Sequence, residues 1–190
     1  MLGYTVLRIA WMAPPTNKLR LSQLVPDEVA ADIAKRSIDH VANLTFSLLK
    51  GDAVLPAVKD YRITPIYREL RRFAYYAVHG AMFEGDSVHH YMISLIPLWQ
   101  SVCGADADVD GVSDTADPET PLGLVICAAL ARRRIALGET VSAVQLAVLS
   151  GLSDRQIRQL ISVREIAATG GSISAKNARR FLGARKVPGF

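Results

Sequence analysis

The sequence has only two cysteines in 190 residues, Cys103 and Cys127. They lack the paired spacing of zinc sites and of disulfide frameworks. The four histidines offer no ligand pair either, since His89 and His90 are adjacent and point in different directions on a helix. We therefore expect no metal, no cofactor and a reducing, cytoplasmic setting.

Long apolar runs and catalytic sets are also missing. No stretch approaches the roughly 18 uninterrupted apolar residues of a membrane span. The apolar start is interrupted by Arg8 and followed by Pro14 and Pro15 instead of a small-residue cleavage site. No serine, histidine and aspartate set, phosphate-cradling glycine loop or carboxylate pair has a suitable context. The sequence therefore predicts a binding protein without signal peptide or membrane contact, and not an enzyme.

Acidic residues are scarce in the last third of the chain. Residues 124–190 hold 11 lysines and arginines against 3 acidic residues, whereas residues 1–123 hold 11 against 15. The whole chain has a net charge of +4, whereas residues 124–190 alone have a net charge of +8. A concentrated positive field favours binding to a polyanion, because phosphate neutralisation releases counterions. An ordinary solvated basic surface is the alternative that charge alone allows.

Helical signals dominate the first half of the chain. Apolar residues recur at helical spacing over about residues 27–49 and 64–78, and Ser87 can cap a third helix over residues 87–102. Proline or serine stands near each start, and Gly51 and Gly80 follow the first two segments as stops. The sequence predicts a helical module over residues 1–104, serving dimerisation or partner contact.

Residues 105–119 contain an acidic run. Asp106, Asp108, Asp110 and Asp114 stand at ligand positions and Gly111 at the turn, as in a calcium-binding loop. Asp117, however, stands where such loops carry a bidentate glutamate. Because acidic runs are also common as solvated linkers, we predict a linker here, with calcium binding as the alternative.

A helix is predicted from Thr120 and Pro121 to Leu137, with Gly138 as its stop. Its last turns carry three consecutive arginines, Arg132, Arg133 and Arg134. Cations at this end complement the helix dipole, which explains part of the run by local stability alone. The rest of the run is available to bind phosphate.

Two capping boxes follow, because Ser142 precedes Gln145 and Ser153 precedes Gln156 by three residues. Each box predicts the start of a helix. Between the two starts, Ala147 lets the helices approach, and Gly151 can adopt the positive φ of a tight turn. A shared core is predicted from Leu146, Leu149, Leu152, Ile157 and Leu160. This pattern predicts a helix-turn-helix unit over residues 141–161.

The second helix of this unit has a polar face. At ~100° per residue, Ile157, Leu160 and Ile161 turn inward. The opposite face presents Arg155, Gln156, Arg158, Gln159 and Ser162. Arginine suits guanine O6 and N7, and glutamine suits adenine N6 and N7. We predict that these five side chains read bases, with a plain polar helix surface as the alternative.

The remaining residues predict a hairpin and a short helix. Residues 164–173 are expected to form two extended pieces around a turn, with the exposed wing consisting of Thr169, Gly170, Gly171 and Ser172. Ser174 then caps a helix over Ala175–Leu182.

This order of elements resembles the winged-helix domains of the MerR and excisionase-like families over roughly residues 141–185, including the Ala-Arg-Arg-Phe-Leu of residues 178–182. The resemblance implies a winged helix-turn-helix with a small β-hairpin in the C-terminal domain, residues 120–190. Together with the helical signals before it, this gives a predicted mainly α fold of an N-terminal helical bundle plus that C-terminal domain. It also implies double-stranded DNA as the partner. A homodimer is predicted, because one helix-turn-helix offers few base contacts and paired half-sites are the usual remedy. Phosphate contacts are then expected from Arg132, Arg133, Arg134, Arg164, Lys176, Arg179, Arg180 and Arg185.

Regulation of transcription is the role that this reading favours. Recombination directionality and plasmid or phage maintenance use the same module and stay open. The alternative from another class is a protein-interaction adaptor whose helix-turn-helix is a docking surface.

Overall fold

The computed structural model describes residues 20–48, 60–81 and 121–190. These residues are mainly helical and include one small antiparallel sheet. The α-helices are α1 (Pro26–Leu48), α2 (Pro65–His79), α3 (Pro121–Leu137), α4 (Ala143–Ser150), α5 (Asp154–Ser162) and α6 (Ala175–Ala184). The strands are β1 (Val141–Ser142) and β2 (Ser172–Ile173), and short 3₁₀ helices cover Leu21–Gln23 and Tyr61–Ile63.

The helix ends follow local signals in the sequence. Proline is the first residue of α1, α2 and α3, as expected for a residue that lacks an N–H and has a preset φ. Thr64 caps α2 by accepting a hydrogen bond from the backbone N–H of Tyr67, and Gly80 ends that helix as predicted. The predicted helix over residues 87–102 and the acidic run of residues 105–119, with its calcium alternative, lie outside the described residues.

Helix α3 lies at the centre of the core. Every residue from Leu122 to Arg132 is buried. A helix that is apolar on all sides must be covered on all sides, and α1, α2, α4 and α6 all contact α3. Although α3 is apolar, no described helix is long and apolar enough to cross a membrane.

One hydrophobic cluster connects both halves of the described chain, from Leu21 through α3 to Leu182. The division into a module of residues 1–104 and a domain of residues 120–190 stays a prediction. The described parts of both share this core, because α3 packs against α1 and α2 as well as against α4 and α6.

The sheet corrects one detail of the predicted hairpin. Strand β2 pairs with β1, so that Ile173 lies opposite Val141. The predicted extended piece over residues 164–168 is not a strand. The physical reason is burial of an apolar pair. Val141 and Ile173 lie opposite each other and are 1% and 0% exposed, so β1 covers the apolar residue of β2, Ile173.

Candidate nucleic-acid interface

Both predicted capping boxes are present and set the starts of α4 and α5. The Ser142 hydroxyl accepts from the backbone N–H of Gln145 at 3.2 Å, and the Ser142 N–H donates to Gln145 Oε1 at 3.0 Å. The second box has the same bonds at 3.2 and 2.9 Å between Ser153 and Gln156. Each box satisfies N–H groups that a helix start leaves without intrahelical partners.

The turn between α4 and α5 has the predicted geometry. Gly151 has a φ of 70°, which a side chain would strain. The core predicted for this pair forms, with Leu146, Leu149 and Ile157 buried and with Leu152 and Leu160 partly buried against them.

The far end of α5 is closed by a Schellman motif. The N–H of Glu165 donates to the carbonyl of Leu160, and the N–H of Arg164 donates to the carbonyl of Ile161, both at 3.0 Å. Arg164 adopts a φ of 63° to make this turn. Helix α5 is therefore defined at both ends, with Ile157 anchored between them at 0% exposure.

All five predicted base readers are exposed on one surface, which we call the α5 face: Arg155, Gln156, Arg158, Gln159 and Ser162. Three of them already have partners in the protein. Gln156 Oε1 accepts from the N–H and the hydroxyl of Ser153, at 2.9 and 3.0 Å. Arg158 Nε donates to Asp154 Oδ2 at 2.7 Å. The Ser162 hydroxyl donates to the Gln159 carbonyl at 2.7 Å.

These contacts engage the Gln156 amide oxygen, which the predicted base contact would need. A bidentate contact to adenine needs the amide oxygen as an acceptor and the amide nitrogen as a donor. Both lone pairs of the Gln156 oxygen are used inside the capping box. Within the described chain, by contrast, the side chains of Arg155 and Gln159 have no hydrogen-bond partner. They are the unengaged side chains of the α5 face.

Arg132 is not a phosphate contact, contrary to the expectation from the sequence. The side chain is buried, at 3% exposure. Its Nε donates to the carbonyl of Ala77 at 2.9 Å, Nη2 to that of Val78 at 3.1 Å, and Nη1 to that of Pro188 at 2.9 Å. The guanidinium also lies 4.9 Å from the ring centroid of Phe190. Each of the three guanidinium nitrogens therefore donates to a carbonyl within the protein.

The end of α2 explains why a buried arginine is tolerated here. The last carbonyls of a helix lack intrahelical partners and carry the negative end of the helix dipole. Those of Ala77 and Val78 receive the Arg132 donors. A Cβ at Gly80 would lie 2.5 Å from Arg132 Nη1, so glycine leaves the space that the guanidinium fills. Burial lowers the pKa of Arg132 to about 10, which still leaves the group charged at neutral pH.

The other predicted phosphate contacts remain at or near the surface. Arg164, Lys176, Arg180 and Arg185 are exposed, and Arg133 and Arg134 are half-buried. Arg179 is exposed but has a structural contact, since its Nη2 donates to the carbonyls of Ile135 and Ala136 at 2.9 and 3.4 Å. This arginine therefore caps the end of α3.

The four predicted wing residues form an exposed two-residue turn. Thr169 and Ser172 exchange backbone hydrogen bonds at 2.9 and 3.0 Å. Gly170 and Gly171 have φ values of 58° and 82°, as a type I′ turn requires. The predicted two-residue turn is thus present, whereas the strand that pairs with β2 is β1 and not the predicted piece before the turn. The assignment of this turn as a wing stays a prediction.

A shallow cavity of about 480 Å³ borders the α5 face. Its apolar lining comes from Leu152, Leu160 and Val163, and its rim includes Glu165 and Arg185. Sequence reasoning missed this cavity. The available signal was Val163, an apolar residue that falls outside the inward stripe of α5 and is 58% exposed.

The chain matches no protein-family model, no curated protein and no solved structure. Support for a function therefore comes from the geometry and charge of its own residues, and the family resemblance stays a prediction.

Proposed function

We propose that the chain is a sequence-specific DNA-binding protein that uses α4 and α5 as a winged helix-turn-helix, with α5 in the major groove. The observation that carries this proposal is the α5 face. It presents Arg155, Arg158 and Gln159 to solvent on a helix whose two ends and buried side, at Ile157, are fixed by the protein. A rigid helix with outward planar donors matches the requirements for reading base edges.

The charge around this helix supports the same proposal. Residues 124–190 carry 11 basic and 3 acidic residues. The acid on α5 itself, Asp154, is paired with Arg158. Exposed cations lie on α6 and directly after α5 and α6. Neutralisation of phosphates beside the groove is the role proposed for Arg164, Lys176, Arg180 and Arg185. The wing turn is proposed to approach the adjacent minor groove.

Regulation of transcription is the proposed role, and recombination or replicon maintenance would use the same interface. We also propose that the protein is a homodimer, because one helix-turn-helix makes few base contacts and paired half-sites are the usual remedy. Sedimentation of the free protein and of its DNA complex is expected to show two chains, and a footprint is expected to show a repeated half-site. A monomer in both measurements would contradict the dimer while leaving DNA binding intact.

Arg155→Ala is expected to weaken binding to the footprinted site by about 1–3 kcal/mol and to relax preference at one or two base pairs, because a bidentate base contact is lost. Binding to a scrambled duplex is expected to change little. Titrations of both duplexes measure the specificity ratio, and an unchanged ratio would show that α5 does not read bases through this residue.

Arg180→Ala is the matched change for a phosphate contact. It is expected to weaken binding to both duplexes alike and to lower the slope of log K against log salt by about 1. Arg180 suits this test better than Arg179, because removal of Arg179 would also uncap α3. A loss confined to the footprinted site would instead identify Arg180 as a base reader.

The cavity beside the α5 face favours the adaptor as the second candidate function. Its apolar lining of Leu152, Leu160 and Val163 suits a protein side chain. If no genomic fragment is footprinted and the Arg155→Ala protein binds DNA as the wild type does, docking of a protein at this face becomes the better hypothesis.

A further inference from the structure

Two arginines project from the α5 face in different states. Arg158 is held by Asp154, one turn earlier on the same helix, with 2.7 Å between Nε and Oδ2. Arg155 has no such partner within the described chain. The α5 face therefore carries one arginine that is restrained by an ion pair and one that is not.

The restrained arginine keeps the donors that matter for a base. A guanidinium has five N–H groups in one plane. The Asp154 contact uses the Nε edge, and the two terminal amino groups, Nη1 and Nη2, remain for another acceptor. Two adjacent amino groups match the O6 and N7 acceptors of guanine. Arg158 is also 67% exposed, so these groups reach solvent.

The carboxylate itself is not free to read a base. Oδ1 of Asp154 is buried and has no hydrogen-bond partner within the described chain. Oδ2 is the oxygen engaged by Arg158. With one oxygen buried and the other bonded to Arg158, this carboxylate is a poorer acceptor for cytosine N4 than an unengaged acid would be. The contact through which Asp154 acts on the α5 face is its hydrogen bond to Arg158.

We propose that Asp154 is a positioning residue that sets the base preference of Arg158, holding its guanidinium end-on for guanine. This inference rests on the DNA-binding function proposed above. Asp154 orders the arginine before binding, so less side-chain freedom is lost on the correct base. It also places a negative charge near the DNA, which disfavours phosphates in general. Asp154 thus raises discrimination between guanine and other bases, and it lowers affinity for DNA of any sequence.

Removal of the acid therefore has an unusual expected result. Asp154→Ala is expected to bind a scrambled duplex more tightly than the wild type, and to lose about 3- to 10-fold of the discrimination at one guanine position, a part of what a bidentate pair supplies. Asp154→Glu is expected to restore the discrimination, because glutamate also pairs with arginine four residues later on a helix. A loss of helix stability alone would weaken binding to the footprinted site and to the scrambled duplex. It would not raise affinity for the scrambled duplex while lowering discrimination at the guanine.

Double variants show whether Asp154 acts through Arg158. In an Arg158→Ala background, Asp154→Ala is expected to cause no further loss of discrimination at that guanine. In an Arg155→Ala background, it is expected to cause the same loss as in the wild type. The readout is a set of titrations on duplexes that vary each base pair of the footprinted site, with thermal melts confirming that every variant is folded.

The outcomes separate this inference from the function on which it depends. A wild-type protein that binds all duplexes equally overturns both. Discrimination that is lost in Arg158→Ala but kept in Asp154→Ala overturns the positioning role alone. If Asp154→Ala causes the same loss of discrimination with and without Arg158, Asp154 contacts the base directly. That result also overturns the positioning role.

Discussion

Arg132→Met is expected to lower the free energy of unfolding by about 3 kcal/mol or more. Three hydrogen bonds from a charged donor are lost, each of a kind that contributes roughly 1.5–3 kcal/mol. The desolvation cost of the buried cation disappears at the same time and offsets part of the loss. The carbonyls of Ala77, Val78 and Pro188 are left without their donor. Methionine fills similar space without replacing any of these bonds.

Thermal and denaturant unfolding measure this effect. The melting temperature is expected to fall by roughly 6–12 °C, at about 2–4 °C per kcal/mol for a chain of this size. The control is Arg133→Met, at the half-buried neighbouring position, where a change within about 0.5 kcal/mol is expected. If Arg132→Met unfolds like the wild type but weakens DNA binding and its salt dependence, Arg132 is a phosphate contact after all.

Ile157→Ala is expected to lower the free energy of unfolding by about 2–5 kcal/mol, because a fully buried side chain is replaced by a cavity between α4 and α5. Ile157→Val is expected to cost only about 0.5–1.5 kcal/mol. The size dependence would show that packing, rather than a base contact, is the role of this residue. Denaturant unfolding of the two variants measures the difference.

Val163→Ala is the matched control for Ile157, since Val163 directly follows α5 and is 58% exposed. A change within about 0.5 kcal/mol is expected there. At a temperature where both Ile157 variants are folded, the specificity ratio is expected to match that of the wild type. A stable Ile157→Ala protein would contradict the role of Ile157 as the buried anchor of α5.

The elements with local signals were predicted almost to the residue. Helix α3 begins and ends at the predicted residues, and α4 and α5 start after the predicted serines, because capping and glycine stops depend on groups only a few residues apart. Strand β1 was missed because two residues carry too little pattern, and its partner lies 30 residues further along the chain.

The role of each arginine shows where sequence reasoning reached its limit. A wheel of α3 places Arg132 on the same stripe as Val125, Ala128 and Ile135, and this stripe was a signal that the residue faces the core. The carbonyls that receive its donors belong to residues 54 and 55 positions earlier and 56 positions later. Such distant partners leave no trace in a local pattern.

The sequence by itself determined where the helices begin and end, which face of α5 is polar, and that the last third of the chain is basic, because each depends on composition or on neighbours within one or two turns. Only the tertiary structure decided which of those cations and amides are available. Arg132 is enclosed by α2 and by residues 188–190, and Arg179 is turned to the end of α3. Charge is a property of the residue, whereas its availability depends on which backbone carbonyls the fold brings within hydrogen-bonding distance.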